Sequence, residues 1–377
     1  MSTHAGWRMQ RIPAHVGDRI DTIETPALIV DVDAFERNVE GMAGATKRAR
    51  LRPHAKAHKC VAIAKAQLAR GAVGICCQKT DEAAVFVGAG IRDVLVTNEV
   101  VAPAKIARLA ELARAAHVGV LVDAQPCLAA LSKAALRSAA TIDVYVEVDV
   151  GAHRCGVAPG TPAVELARAA AGAPGLRFRG LHAYQGAAQH LREPEQRRDA
   201  IASAAALARA TREAIVAAGI KCEIVTGAGT GTWRHELDSG VYDELQPGSY
   251  VFMDADYGRN VLGADDLRFE QSLFVLASVM SVPADERAIL DAGLKAFSFD
   301  SGLPLVHDHP GLVYAKASDE HGVLAVAPDA PPLTLGQRVR LVPGHCDPTV
   351  NLYDFLVAVS NDVVKAIWRV DARGTLG

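Results

Sequence analysis

Eight apolar, strand-like runs alternate with mostly alanine-rich, helix-favouring stretches between residues 51 and 250, and this predicts an α/β fold, a (β/α)8 TIM-type barrel. A second observation agrees. Glycines and polar residues concentrate at the C-terminal ends of these runs, where such a barrel keeps its functional loops. The third is a change of texture after Asp266, where runs rich in Val and Leu are broken by Gly and Pro. That change predicts a second, β-rich domain. An open doubly wound sheet is the competing architecture. It would place ligand-binding glycines after the first strand, whereas here they lie late, in Gly227-Ala228-Gly229-Thr230-Gly231-Thr232.

Residues 1–24 read as polar and irregular. Ala27–Val32 reads as a short buried strand, followed by a helix with Asp33 as its N-cap and Glu36 at the capping-box position. Barrel strands are expected to begin near Leu51, Val73, Asp93, Val118, Ile142, Phe178, Lys221 and Glu244. Helices are expected over 102–117, 124–137, 162–172 and 195–218, and the last link, 232–243, has room for little more than a helical turn. In the second domain, strands are expected over 271–282, 287–291, 312–317, 322–327 and 337–342. The strand near residue 27 precedes the barrel count and is assigned to that domain. The expected division is therefore 34–266 for the barrel and 1–33 with 267–377 for the β-rich domain, bringing the termini together.

Composition narrows the function. Of 377 residues, 50% are apolar and 22% charged, as in an ordinary globular protein. A formal net charge of -3 supplies no field for nucleic acid or an anionic membrane surface. Seven cysteines without CxxC spacing build neither a disulfide framework nor a structural zinc site. Met1–Gln10 has no apolar core of a signal peptide, and no apolar run is long enough to span a bilayer, so the expected setting is a reducing cytoplasm.

The first strand ends in Arg52-Pro53-His54-Ala55-Lys56-Ala57-His58-Lys59. A lysine at such an end, facing a cavity, is desolvated, which favours the free amine that a pyridoxal phosphate cofactor requires. A solvated basic turn is the alternative. The Gly227–Thr232 run suits an anion, because glycine backbone N–H groups converge and threonine hydroxyls add donors. Gly248-Ser249 can complete that cradle, or form a plain turn after Pro247. Arg154, between glycines, is placed to polarise a ring oxygen of a cofactor or to make a structural ion pair. His190, just beyond the sixth strand, is a candidate base. His345 and Asp347, two apart in an expected extended segment, project to one side as an open metal site. A cysteine ligand there would favour zinc; a His/Asp pair suits a harder ion such as Mn²⁺ or Mg²⁺.

Six ordered stretches, RPHAKAHK, GAHRCGV, GLHAYQGAAQH, TGAGTGT, QPGSYVFMD and PGHCDPTVNLYD, together resemble the D-threonine aldolase family across about residues 25–370. These pyridoxal-phosphate- and metal-dependent lyases belong with D-serine dehydratase and alanine racemase among the barrel-type enzymes of that cofactor. The resemblance implies the barrel, the β-rich domain and a homodimer with sites at its interface. It implies Lys59 as the Schiff-base lysine, Arg154 near the cofactor's phenolic oxygen, and Tyr184 near its ring nitrogen. Gly229, Thr230, Gly248 and Ser249 match the phosphate cradle, and His345 and Asp347 the metal ligands. The expected reaction is cleavage of a D-β-hydroxy-α-amino acid to glycine and an aldehyde, with Mn²⁺ as the first choice of metal and Mg²⁺ or Co²⁺ as alternatives. The rivals on the same fold are a D-serine or 3-hydroxyaspartate dehydratase and an amino-acid racemase. A non-enzymic cofactor carrier is a further rival, but such carriers generally lack a second domain. Dehydratases of this group typically carry His-x-Cys, so Asp347 points toward the aldolase.

Overall fold

The computed structural model describes residues 11–263 and 266–377. The expectation for Met1–Gln10 lies outside them. The first part of the chain runs β1 (Ala27–Asp31), α1 (Val32–Ala45), β2 (Arg50–Leu51), α2 (Val61–Ala69), β3 (Ile75–Cys77), α3 (Thr80–Gly88), β4 (Asp93–Glu99), α4 (Pro103–Leu112), β5 (His117–Val122), α5 (Gln125–Arg137), β6 (Ile142–Glu147), α6 (Thr161–Gly172), β7 (Leu176–His182), α7 (Pro194–Ala217), β8 (Ile224–Gly227), α8 (Trp233–Ser239) and β9 (Glu244–Leu245). Strands β2 to β9 form one parallel eight-stranded sheet in the order β2-β9-β8-β7-β6-β5-β4-β3. The open edges meet where Val73 N donates to Leu51 O (2.9 Å), Cys76 N donates to Pro53 O (2.8 Å), and His54 bridges Cys76 in parallel. The sheet is thus a closed TIM-type barrel.

The helices follow from local chemistry. Pro103, Pro126, Pro162 and Pro194 each stand in the first turn of their helix, where proline's missing N–H costs nothing. α4 stops at Leu112 rather than 117, because His117 is recruited into β5, its N–H donating to Arg92 O. The first helix is capped by Asp31, whose Oδ1 accepts from Asp33 N (3.1 Å) and Ala34 N (3.0 Å). Asp33, the expected cap, is already inside α1. Periodicity alone did not separate two aspartates two residues apart.

The barrel interior is packed by Cys76, Leu95, Leu121, Tyr145 and Ile224. It also holds a buried ion pair: Arg52 Nε is 2.9 Å from Glu244 Oε1, and Arg52 Nη1 is 2.6 Å from Asp93 Oδ1. Burial alone would favour the neutral guanidine, but the two carboxylates outweigh it and keep Arg52 charged. The stretch beginning at Arg52 is therefore no solvated turn. Arg52, His54, His58 and Lys59 are buried, and Lys56 alone among its charged groups is exposed.

The β-rich unit comprises the described residues up to Arg37, Val251–Asp256 and Glu270–Gly374. Its strands after β9 are β10 (Leu273–Ala284), β11 (Arg287–Leu290), β12 (Leu305–His307), β13 (Leu312–Ala317), β14 (Gly322–Val326), β15 (Arg338–Val342), β16 (Phe355–Ser360) and β17 (Val363–Arg369). The sheet path is β13-β14-β11-β10-β1-β16-β17, with β15 pairing β10 and β12. β1 lies between β10, antiparallel, and β16, parallel, so the early strand belongs to this sheet. Phe274, Leu276, Val357 and Val359 pack against Ile23 and Ile29 in its core. The pair β16–β17 is absent from the sequence-based expectation, as is the short β12. Among the described residues no helix is long and apolar enough to cross a membrane.

Candidate active site

In the barrel unit, the strand ends converge on an open cavity lined by polar and glycine residues. Its lining includes Lys56, Arg154, Tyr184, Gly229, Thr230, Gly248 and Ser249. Six residues singled out in the sequence, from four strand ends, thus meet in one place, joined by Lys56 from a fifth. The cavity also takes in His54, His182, Gln246 and Tyr257, which residue type alone did not mark.

Lys59 is the exception. Its backbone is left-handed (φ 50°), and its buried Nζ lies 2.9 Å from Glu82 Oε1 on α3. Glu82 is 2% exposed and its other oxygen accepts from Gln78 N (2.7 Å) and Lys79 N (3.1 Å). The neighbour of Lys59 is therefore a carboxylate. Lys56, on the 3-10 turn Ala55–Ala57, stands at the cavity instead. His54 sets that turn. Its Nδ1 accepts from Lys56 N (3.3 Å) while Nε2 and Thr97 Oγ1 are 2.8 Å apart.

The anion cradle fits its expected chemistry. Ala228 takes a left-handed φ of 74°, which turns the loop at a cost of about 1 kcal/mol. Thr230 Oγ1 accepts from Tyr250 N (3.1 Å), leaving its hydroxyl proton for a partner in the cavity. A Cβ on Gly248 would come within 2.8 Å of His54 O, so backbone must approach backbone there. At Gly229 the space is filled by Gln189, which a Cβ would overlap. Substitution of Gly229 therefore disturbs packing behind the loop as well as any ligand in front of it.

Behind the loop, Thr232 Oγ1 donates to Glu236 Oε1 (2.8 Å). Burial pushes the Glu236 carboxyl up to about 8. Its folded pKa lies above the ordinary unfolded value, so the native state holds the extra proton. Stability from this group is present at acid pH and is lost as pH rises from the ordinary carboxyl range through about 8. Glu236→Gln keeps the acceptor and removes the ionisation. The variant is expected to be more stable than the parent above pH 8, by on the order of a few kcal/mol. Denaturant titrations at acid and alkaline pH check this; an equal pH dependence in the two proteins contradicts it.

Arg154 sits with its guanidinium 5.6 Å from the Tyr184 ring centroid and 3.6 Å from Glu147 Oε1. It makes the ion pair and also lines the cavity. Glu147 also faces His182 Nδ1 (3.7 Å), whose Nε2 is 3.2 Å from Gln246 Oε1. Burial opposes the charge on Glu147, yet His182 and Arg154 hold its carboxyl down at about 2. Burial, with the Glu147 carboxyl alongside, pushes Glu99 up to about 8. His190 ends the 3-10 turn Ala187–His190, exposed, with its ring centroid 5.9 Å from that of Tyr257. It reaches the cavity wall through Tyr257 and is not itself among the lining residues.

In the β-rich unit, His345 and Asp347 do not share an extended segment. His345 is extended (φ -142°), and Asp347 lies in the first turn of α9 (Cys346–Val350). Thr349 Oγ1, which donates to His345 O (2.7 Å), closes that turn. His345 Nδ1 is 2.7 Å from Asp300 Oδ2. A carboxylate on one ring nitrogen orients the imidazole and leaves the other for a metal, a frequent arrangement at metal sites. Asp300 lies 45 residues away in sequence, and no local signal marks it. Cys346 is fully buried, with its Sγ donating to Asp347 Oδ1 (3.3 Å), so it supports the aspartate rather than replacing it. Among the described residues no three ligating side chains converge, and the candidate donors are one imidazole nitrogen and one carboxylate oxygen. That set fits a hard divalent ion completed by water or substrate.

The alanine racemase N-terminal domain model matches residues 30–256, and a serine dehydratase domain model matches residues 272–359. D-threonine aldolase of Arthrobacter sp is 50% identical over 364 residues, covering 96% of each chain. 3-Hydroxy-D-aspartate aldolase of Paracoccus denitrificans (strain Pd 1222) is 48% identical over 372 residues, covering 96% of this chain and 95% of its own. The crystal structure of D-threonine aldolase from Filomicrobium marinum is 49% identical, with a TM-score of 0.95 over 97% of this chain and 100% of that one.

Proposed function

Because the chain belongs to the D-threonine aldolase family, we propose that it is a lyase cleaving D-threonine and other D-β-hydroxy-α-amino acids to glycine and an aldehyde, with pyridoxal 5'-phosphate and a divalent metal. The observation that carries this reading is the single barrel cavity that unites an amine, a guanidinium and a glycine-threonine cradle. Lys59, at the end of the first strand motif, holds the cofactor's aldehyde, with Lys56 at the cavity wall as the alternative amine. Gly229, Thr230, Gly248 and Ser249 hold its phosphate with backbone N–H groups and hydroxyls. Arg154, steadied by Glu147, faces the phenolic oxygen, and Tyr184 packs beside the guanidinium. His345, oriented by Asp300, and Asp347 hold the metal, Mn²⁺ before Mg²⁺ or Co²⁺.

Bound here, the cofactor supplies an electron sink for the Cα–Cβ pair, and the metal acidifies the substrate's β-hydroxyl. His190 accepts the hydroxyl proton through an imidazole nitrogen, directly or through one water. Its exposure lets that proton exchange with solvent. The wall formed by His54, Thr97 and Gln78 is joined by hydrogen bonds, so the Lys56 turn is held in place during the reaction. The reading includes a homodimer in a reducing cytoplasm.

A dehydratase is the second reading, since related chains on this fold eliminate the hydroxyl instead. Asp347 argues against it. A hard carboxylate site suits a retained alkoxide better than a departing hydroxide. The identity to a 3-hydroxy-D-aspartate aldolase keeps a β-carboxylated substrate open. Incubating the full chain with Mn²⁺, pyridoxal phosphate and either D-threonine or 3-hydroxy-D-aspartate separates these readings. Glycine plus aldehyde is the expected product from D-threonine; 2-oxobutyrate in place of glycine overturns the aldolase.

A further inference from the structure

We infer that Gln189 is a positioning residue that locks the glycine-threonine cradle to the turn carrying His190, so that cofactor anchoring and the base are set by one side chain. The inference rests on the assignment of His190 and the cradle given above. Gln189 is 1% exposed and every polar atom of its side chain is committed. Its Nε2 donates to Thr232 Oγ1 (2.7 Å) and to Gln185 O (3.3 Å), and its Oε1 accepts from Gly231 N (2.9 Å). The donor order is determined throughout: Gln189 gives to Thr232, and Thr232 gives to Glu236.

The main chain of Gln189 is tied as well. Its carbonyl accepts from Asn260 Nδ2 (3.0 Å), and Asn260 Oδ1 accepts from Arg192 Nη1 (2.7 Å). The bonds therefore grip the short turn Ala187–His190 from both sides. The glycines opposite are the second, independent observation. A Cβ on Gly229 would overlap the Gln189 carboxamide, and one on Gly231 would come within 2.6 Å of its carbonyl. Two of the loop's glycines are thus required by Gln189 and not only by an anion. A shift of the cradle must move Gln189, and through it the adjacent His190.

Gln189→Met tests this, because it keeps the buried volume while deleting the bonds to Gly231, Thr232 and Gln185. Each lost bond to a buried partner is expected to lower a binding constant up to about tenfold. Pyridoxal phosphate affinity of the cofactor-stripped full chain should therefore fall by about tenfold or more. At saturating cofactor, kcat should still fall, and the limb of the pH–rate profile that disappears in His190→Ala should be displaced. Gln189→Glu, which retains the acceptor for Gly231 N, should recover part of the affinity at acid pH and lose it as its carboxyl ionises. Weaker cofactor binding with an unchanged kcat and pH profile at saturation overturns the coupling. Unchanged binding overturns the role altogether. Full activity in His190→Ala would instead refute the assignment of the base, and cofactor affinity in Gln189→Met would still report on the cradle.

Discussion

Lys59→Ala is expected to abolish the yellow colour of the cofactor-loaded protein and to lower aldolase turnover by at least about a thousandfold. The sequence singles out Lys59, flanked by a histidine and a cysteine, and Lys56 is the near alternative, since it lines the barrel cavity. The two make opposite predictions. Lys59 is buried, with its Nζ 2.9 Å from Glu82 Oε1. Lys56→Met should keep the colour and most of the turnover. Borohydride reduction followed by peptide mapping reads the answer directly. A tag on Lys56 moves the role to that residue and refutes the assignment to Lys59.

The second large effect is removal of the metal. Two protein ligands leave most of a coordination sphere to water and substrate, so the ion should be held weakly enough for chelators to strip it. The cofactor is held by other residues altogether. Exhaustive chelation should therefore lower aldolase turnover to background and leave the colour intact, with Mn²⁺, Co²⁺ or Mg²⁺ restoring activity. Asp347→Cys should shift the preference toward Zn²⁺, because thiolate is a softer ligand than carboxylate. Asp300→Asn should weaken metal binding about 10–100-fold, the usual cost of losing a partner that orients a histidine ligand. Full turnover in protein shown by metal analysis to be empty would return His345 and Asp347 to a structural turn.

Much of this molecule was legible without coordinates, and the reason is locality. A strand–helix alternation is written in neighbouring residues, so the eight barrel strands and the β-rich texture after Asp266 could be read from periodicity and from Gly and Pro. Residues at strand ends could be enumerated for the same reason. A barrel gathers them wherever its strands stop, and Arg154, Tyr184, Gly229, Thr230, Gly248 and Ser249 meet as a consequence. The tertiary structure decided what depends on a distant partner. That Lys59 meets a carboxylate inside the protein depends on Glu82, on a neighbouring helix. What orients His345 was settled by Asp300, from another loop. Why Gly229 must be glycine was settled by Gln189, forty residues earlier. Backbone periodicity carries no record of such pairings, because burying a charge or filling a void involves whichever side chain the fold brings alongside.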